Sequence, residues 1–197
     1  AMKNELEKIT KKNIYLIHNG SAAGLNIGSF KKSKKYISML KYKYNIDKNN
    51  KIILFVGRPN YRKGFYDIIE IWKKYFECNP DYTLLLLGVD NEDLFKFYKK
   101  IPYNVKAMSF VDNPTNFFIM ADYLFMNSYH EGLNYSVLEA MMYDTIVISN
   151  NILGVSEIIE NNINGFLVDN NNYQSFFNIV NSCEGSIFLR KRIIKAS

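Results

Sequence analysis

The chain has 197 residues, of which 48% are hydrophobic and 22% charged, and its 25 Lys and Arg against 19 Asp and Glu give a net charge of +6. This composition predicts one compact domain with a short appendage and argues against a disordered chain. No apolar run approaches the roughly 18 to 20 residues of a membrane-spanning helix, and the polar N-terminus lacks the apolar core of a secretory signal. Because Cys78 and Cys183 lie far apart with no metal-ligand spacing, we expect a cytoplasmic protein with reduced thiols and neither a disulfide framework nor a zinc site.

Residues 1–50 predict a lead-in segment that precedes the main domain. Residues 13–18 predict a strand, residues 19–21 a turn, and residues 31–44 a helix with a basic face. The lysine cluster at 31–35 favours a solvated face, with weak attraction to an anionic membrane surface as the second interpretation. Nucleic-acid binding is disfavoured because no DNA- or RNA-binding module accompanies the lysines.

From residue 51 to residue 185, short apolar runs alternate with stretches of helical periodicity. The runs at 52–56 and 83–87 do not alternate polar with apolar residues, so each predicts a strand buried on both faces, as in a parallel sheet. Further strands are expected at 105–108, 123–127, 146–149 and 165–168, and helices at 64–77, 92–100, 114–121, 135–143, 155–161 and 173–183. The alternation predicts an α/β fold with a doubly wound, Rossmann-like parallel sheet, whose ligands bind outside the carboxyl ends of the strands. Residues 186–197 predict a last, truncated helix.

The loop at 57–64 follows the first of these strands and carries two cations. Gly57 stands beside Arg58, and Lys63 stands beside Gly64 where a helix is expected to begin. Flexible backbone, positive side chains and free helix N–H groups together suit phosphate oxygens. Neither a P-loop nor a GxGxxG turn is present, and a solvated basic loop is an equally good interpretation.

The loop and helix at 129–141 carry two carboxylates eight residues apart. If the helix begins near Asn134, Glu131 lies in the loop before it and Glu139 in its second turn. Two carboxylates would then flank a helix N-terminus, an arrangement that matches the ribose, diphosphate and sugar of a nucleotide diphosphate sugar. The alternative is a capping box between Ser136 and Glu139, in which Glu139 only satisfies backbone donors.

A third loop, at 150–159, contains Gly154 and precedes another expected helix. A glycine-eased turn with acidic residues at a helix start is the favoured interpretation for this loop taken singly.

The motifs in these segments, in their order along the chain, resemble the C-terminal half of a GT-B glycosyltransferase of family 4. The lead-in at 1–50 is similar to the linker between the two halves of such enzymes. The motifs that carry the resemblance are FVGR at 55–58, RKG at 62–64, SYHEGL at 128–133, LEAM at 138–141, GVSEII at 154–159 and NGFLV at 164–168. Two segments depart from the family: 142–146 lacks the usual glycine, and Asn134 replaces a commoner glycine or proline, although asparagine is a good helix N-cap.

The resemblance implies three catalytic residues. Arg58 and Lys63 would hold the donor diphosphate and stabilise the charge that builds on it as the glycosidic bond breaks. Glu131 would lie beside the transferred sugar. No metal or other cofactor is expected, since the two cations would do the electrostatic work of a metal.

The resemblance also implies a set of donor-binding residues. Glu139 would bind the ribose hydroxyls, and the amides after the first glutamate would face sugar and phosphate. The full set is Gly57, His130, Gly132, Leu133, Asn134 and Glu139.

The function implied is the donor-binding half of a retaining glycosyltransferase. It would move a sugar from a nucleotide diphosphate sugar to a saccharide or lipid-linked acceptor, in bacterial surface or capsular polysaccharide biosynthesis. The acceptor would bind the missing N-terminal half, so this chain alone is expected to be an inactive monomer, in the cytoplasm or peripheral at the inner face of the membrane. The alternatives are a non-catalytic nucleotide-sugar-binding module and a GT-B-like sugar-nucleotide epimerase.

Overall fold

The computed structural model describes residues 32–197, so the strand and turn expected within residues 13–21 lie outside it. The strands are β1 (Lys51–Val56), β2 (Tyr82–Leu87), β3 (Val105–Met108), β4 (Tyr123–Met126), β5 (Ile146–Asn150) and β6 (Phe166–Val168). The helices are α1 (Lys34–Lys43), α2 (Phe65–Tyr75), α3 (Asn91–Leu94), α4 (Thr115–Met120), α5 (Tyr135–Met142), α6 (Tyr173–Gly185) and α7 (Ile187–Ala196), with a 3₁₀ turn at Tyr61–Lys63.

The six strands form one parallel sheet in the order β3-β2-β1-β4-β5-β6. Leu54 of β1 pairs with Leu85 of β2 on one side and with Leu124 of β4 on the other. The strand order therefore reverses between β1 and β4, the switch point at which doubly wound sheets open a crevice at the carboxyl ends of their strands. The predicted Rossmann-like α/β fold is confirmed.

Both faces of the sheet are covered by helices. Along β1, Ile53 and Phe55 pack into one buried cluster with α2 and α6, whereas Ile52 and Leu54 pack into a second cluster with α1, α4 and α5. Successive residues of a strand point to opposite faces. This double burial explains why the strand sequences are continuously apolar.

The predicted helix at 155–161 is wrong. The chain forms turns there and then a bridge between Asn161 and Gly165. Asn164 competes with a helical backbone at this point: its Oδ1 accepts from the Glu160 N–H (2.8 Å) and its Nδ2 donates to the Ile158 carbonyl (3.1 Å). Such local side-chain bonds offer the backbone an alternative to the helix.

Two further segments can be compared with the sequence: the helix expected at 92–100 is shorter, and 142–146 makes its turn without the usual glycine. The helix expected at 92–100 ends at Leu94, after which the Phe97 N–H bonds to the Leu94 carbonyl, three residues back, in a turn. In the segment 142–146, Asp144 adopts a φ of +51°, the left-handed conformation that glycine takes most easily.

Within residues 32–197 no helix is long and apolar enough to cross a membrane.

Candidate functional site

Three loops meet at the carboxyl edge of the sheet around the switch point. They follow β1 (57–64), β4 (127–134) and β5 (151–155). These are the segments in which the sequence places its candidate residues.

The loop after β1 is shaped by Asn60 and Gly64. The Asn60 Oδ1 accepts from the Lys63 N–H (3.0 Å) and so caps the 3₁₀ turn. Gly64 has a φ of +66°, and a Cβ placed on it would lie 2.0 Å from the carbonyl oxygen of Asn127. Only glycine permits both this conformation and this close approach, so the loop after β1 lies directly against the backbone at the end of β4.

Contacts of several kinds join the loops after β1 and β4. The Tyr129 N–H donates to the Arg62 carbonyl (2.9 Å), and Arg62 Nη1 donates to the His130 carbonyl (3.3 Å). The rings of Tyr61 and Tyr129 stack with centroids 4.5 Å apart. The two loops therefore form one unit although 68 residues separate Arg62 from His130.

Two of the predicted catalytic residues contact each other in this unit. Lys63 Nζ lies 2.7 Å from Glu131 Oε1 in a salt bridge, and the Glu131 side chain is only 9% exposed. A charge-assisted hydrogen bond of this length in a partly buried place is stronger than an ordinary surface pair. The positive charge of Lys63 is therefore paired with the carboxylate of Glu131.

The third predicted catalytic residue, Arg58, lines an open cavity of about 650 Å³. Its lining also includes the polar and glycine residues Gly57, Asn60, Arg62 and Lys63. The apolar part of the lining consists of Val56, Leu87, Phe110, Val111 and Pro114. A cavity of this size, lined by both cationic and apolar side chains, suits a small anionic ligand that carries a planar ring.

Glu139 lies on α5, the helix that follows the loop carrying Glu131. Asn134 is the N-cap of α5, since its Oδ1 accepts from the Val137 N–H (3.3 Å). The capping box between Ser136 and Glu139 is therefore not what begins this helix. Glu139 lies in the second turn, and burial raises the pKa of its carboxyl group.

The donor-binding residues predicted from the loop after β4 do not line the 650 Å³ cavity. His130, Gly132 and Leu133 are exposed, while Asn134 is buried in its capping role. The loop after β4 adjoins the cavity through two of the residues that line it: Lys63 contacts Glu131, and Arg62 contacts the His130 carbonyl. The structure brings the predicted loops together, with Arg58 and Lys63 on the cavity and Glu131 in contact with Lys63.

The loop after β5 contributes through its backbone. Gly154 has a φ of +86°, and a Cβ on it would lie 2.2 Å from the Gly132 carbonyl oxygen and 2.7 Å from that of Glu131. The loop after β5 therefore contacts the backbone of Glu131. Sequence alone favours only a turn that contains a glycine, without this contact.

Sequence reasoning missed two residues of the site. Asp67 accepts hydrogen bonds from Asn127, Tyr129 and Tyr173, but an acidic residue in the first turn of a helix is typical of dipole complementation and gives no other signal. Phe110 is 84% exposed on the cavity wall, and a single aromatic residue in a loop carries no pattern. Within residues 32–197, no group of three or more His, Cys, Asp or Glu residues could hold a metal ion.

Comparison with known proteins gives a family and a fold. The profile of the family described as glycosyl transferases group 1 matches residues 38–197. The capsular polysaccharide biosynthesis glycosyltransferase CapH of Staphylococcus aureus is 31% identical over 127 residues, which are 58% of this chain and 34% of CapH. The chain spans about a third of the length of the curated relatives it matches.

Solved structures share the fold. HepE of Anabaena, crystallised with UDP-glucose, superposes with a TM-score of 0.76 at 23% identity, over 88% of this chain and 49% of HepE. The C-terminal domain of LpcC from Francisella tularensis, a glycosyl transferase group 1 family protein, superposes with a TM-score of 0.72 at 20% identity, over 88% of this chain and 94% of that domain.

Proposed function

The chain belongs to the glycosyl transferases group 1 family, and from that premise we propose that it is the C-terminal, donor-binding half of a retaining GT-B glycosyltransferase of family 4. The observation that carries the proposal is the junction of Arg58 and Lys63 on a cavity at the switch point, with Glu131 in contact with Lys63. The near-complete overlap with the isolated C-terminal domain of LpcC supports the placement in the enzyme.

The donor we propose is a nucleotide diphosphate sugar. Its diphosphate would lie against Arg58 and Lys63, and its base against apolar residues of the cavity lining such as Phe110. Glu139 would accept hydrogen bonds from the ribose. HepE was crystallised with UDP-glucose and with UDP, which supports a nucleotide sugar as the ligand class.

The proposed reaction breaks the bond between the anomeric carbon of the sugar and the terminal diphosphate oxygen. The electron pair of that bond stays on the diphosphate, where the charges of Arg58 and Lys63 stabilise it. The acceptor hydroxyl forms a new bond to the same carbon on the same face, and its proton passes to the departing diphosphate oxygen. Because Arg58 and Lys63 would supply positive charge to the leaving group once the diphosphate displaces Glu131 from Lys63, we expect the reaction to need no metal ion.

The acceptor and the location follow from the wider comparison. We propose a saccharide or lipid-linked acceptor, bound by an N-terminal half, in surface or capsular polysaccharide biosynthesis, as the similarity to CapH supports. We also propose that the protein is cytoplasmic and contacts an anionic membrane surface peripherally. Helices α1 and α7 support this contact because they carry basic residues and no acidic ones. We expect the isolated chain to be monomeric.

Calorimetric titration of the chain with UDP, GDP and ADP tests the donor site. We expect one of the three to bind, and Arg58→Ala to weaken that binding about 10- to 100-fold because a charged hydrogen bond is lost. Arg192→Ala is the matched control, since Arg192 lies on α7 and donates only to the Asn162 carbonyl among the described residues. Absence of binding by all three nucleotides would contradict the proposal.

A second experiment separates a transferase from a binding module. The chain joined to its N-terminal half should release nucleoside diphosphate in the presence of acceptor, and NMR of the product should show the anomeric configuration of the donor. Intact donor binding without turnover would identify a binding module instead.

A further inference from the structure

A buried carboxylate joins the elements that surround the Lys63–Glu131 pair. Asp67 lies in the first turn of α2, four residues after Lys63, and is only 7% exposed. Its two oxygens accept three hydrogen bonds, each from a different side chain. The donors are Asn127 Nδ2 (2.8 Å), the Tyr129 hydroxyl (2.9 Å) and the Tyr173 hydroxyl (2.5 Å).

The two oxygens of Asp67 face different parts of the fold. Oδ2 accepts from Asn127 and Tyr129, which both belong to the segment after β4. Oδ1 accepts from Tyr173, the first residue of α6. One oxygen therefore holds the loop that carries Glu131, and the other holds a helix of the scaffold.

Tyr129 is the link between Asp67 and Glu131. Its hydroxyl donates to Asp67, its ring stacks on Tyr61, and its N–H donates to the Arg62 carbonyl. Burial, together with hydrogen bonds to Tyr61 and Asp67, raises the pKa of Tyr129, so its hydroxyl remains a donor at neutral pH. Three contacts fix the position of Tyr129. Because Glu131 follows only two residues later, these contacts also restrict where its carboxylate lies, which is against Lys63.

We propose that Asp67 is a positioning residue that acts through Tyr129 to hold Glu131 where it contacts the sugar of the donor. The inference rests on the proposed function, because it concerns the same site. Hydrogen bonds to a charged acceptor are about twice as strong as neutral ones, and three of them on a buried carboxylate leave it little freedom to move. If the hydrogen bonds between Asp67 and the segment after β4 are weakened, the sugar should contribute less to the binding free energy. The diphosphate should still bind Arg58 and Lys63.

The quantity that tests the proposal is the preference for nucleotide sugar over nucleotide. The two dissociation constants are measured by calorimetry for the pair that wild type binds: UDP and UDP-glucose, GDP and GDP-mannose, or ADP and ADP-glucose. We expect Tyr129→Phe to lower this preference at least threefold, and Asp67→Asn to lower it in the same direction. A general loss of stability would lower Tm without changing the ratio of two affinities of the folded protein.

Tyr173→Phe is the matched control. It removes the same kind of hydrogen bond from the same carboxylate, but on the scaffold side, so we expect a lower Tm with an unchanged preference. In a Glu131→Gln background, Tyr129→Phe should have no further effect on the preference, because the group that it positions is altered.

The outcomes separate this inference from the proposed function. A wild type that binds none of the three pairs contradicts the proposed function, and the inference falls with it. A wild type that binds a pair, with Tyr129→Phe leaving the preference unchanged or Tyr173→Phe lowering it equally, overturns the positioning role alone. Because Tyr129→Phe keeps the buried carboxylate and the ring stack, the test stands even where Asp67→Asn does not fold.

Discussion

Lys63 and Glu131, 68 positions apart in the chain, are held 2.7 Å from each other in a salt bridge at the switch point of the sheet. The cation proposed to bind a diphosphate is therefore paired with a carboxylate of the protein itself. An anion that binds Lys63 must compete with the carboxylate of Glu131, so removing that carboxylate should change the affinity for the anion.

Glu131→Gln should tighten the binding of the nucleoside diphosphate that wild type binds by about 3- to 10-fold, since a partly buried competing charge disappears. Lys63→Met should weaken the same binding about 10- to 100-fold, because a charged hydrogen bond to the diphosphate is lost. Calorimetry on both variants measures the two effects.

Glu92→Gln is the control for a change of one negative charge at an exposed position of α3, and it should leave the affinity unaltered. Weaker nucleotide binding by Glu131→Gln would show that Glu131 supports the diphosphate rather than competing with it.

Gly64→Ala should destabilise the chain by at least about 3 kcal/mol. The added Cβ would lie 2.0 Å from the Asn127 carbonyl oxygen at a φ of +66°, so the backbone of one loop must shift in addition to the cost of a left-handed alanine. In a chain of this size the fall in Tm is roughly 6 to 12 °C. Thermal unfolding followed by circular dichroism measures it.

The matched control for this change is Gly185→Ala at the end of α6. A Cβ there meets no atom within 4 Å, and alanine is favoured over glycine in a helix by about 0.5 to 1 kcal/mol. Its Tm should be unchanged or slightly higher. If both glycine variants behaved alike, the close contact between the loops would not be a determinant of stability.

Glu139→Gln should raise stability at neutral pH while weakening nucleotide binding. Burial raises the pKa of Glu139 in the folded chain, so folding disfavours its ionised form. The unfolded chain therefore ionises at lower pH than the folded one, and the penalty is present above both pKa values and disappears as pH falls below the unfolded value. The advantage of the variant in Tm should accordingly shrink between pH 7 and about pH 4.

This comparison uses thermal unfolding of wild type and Glu139→Gln at several pH values, with calorimetry at pH 7 for the nucleotide. A difference in Tm that stays constant with pH would indicate that ionisation of Glu139 is not what the variant relieves. A variant with wild-type nucleotide affinity would argue against contact between Glu139 and the ribose.

The sequence predicts the sheet well because burial on both faces leaves a direct trace in it. The apolar runs at 52–56 and 83–87 correspond to β1 and β2, whose central residues are all buried. The apolar periodicity at 155–161 predicts a helix, but two hydrogen bonds of Asn164 to the backbone compete with the helical hydrogen bonds there. Periodicity records which residues are buried, but it does not record such local competition.

For the site, sequence identifies the loops but not their contacts. The order of strands predicts that the segments after β1 and β4 share one edge, since the carboxyl ends of parallel strands lie together. The pairing of Lys63 with Glu131 and the three bonds on Asp67 depend on side-chain directions across 60 or more residues of chain. No local pattern encodes these distances.

The glycine contacts described above have a consequence for how this edge of the sheet can diversify. At Gly64 and Gly154 the loops approach one another through main-chain atoms, so this close packing does not depend on which side chains surround it. Phe110 is exposed, lines the cavity and takes no part in these two contacts. Substitutions at position 110 can therefore alter ligand preference while the loop backbones stay in place.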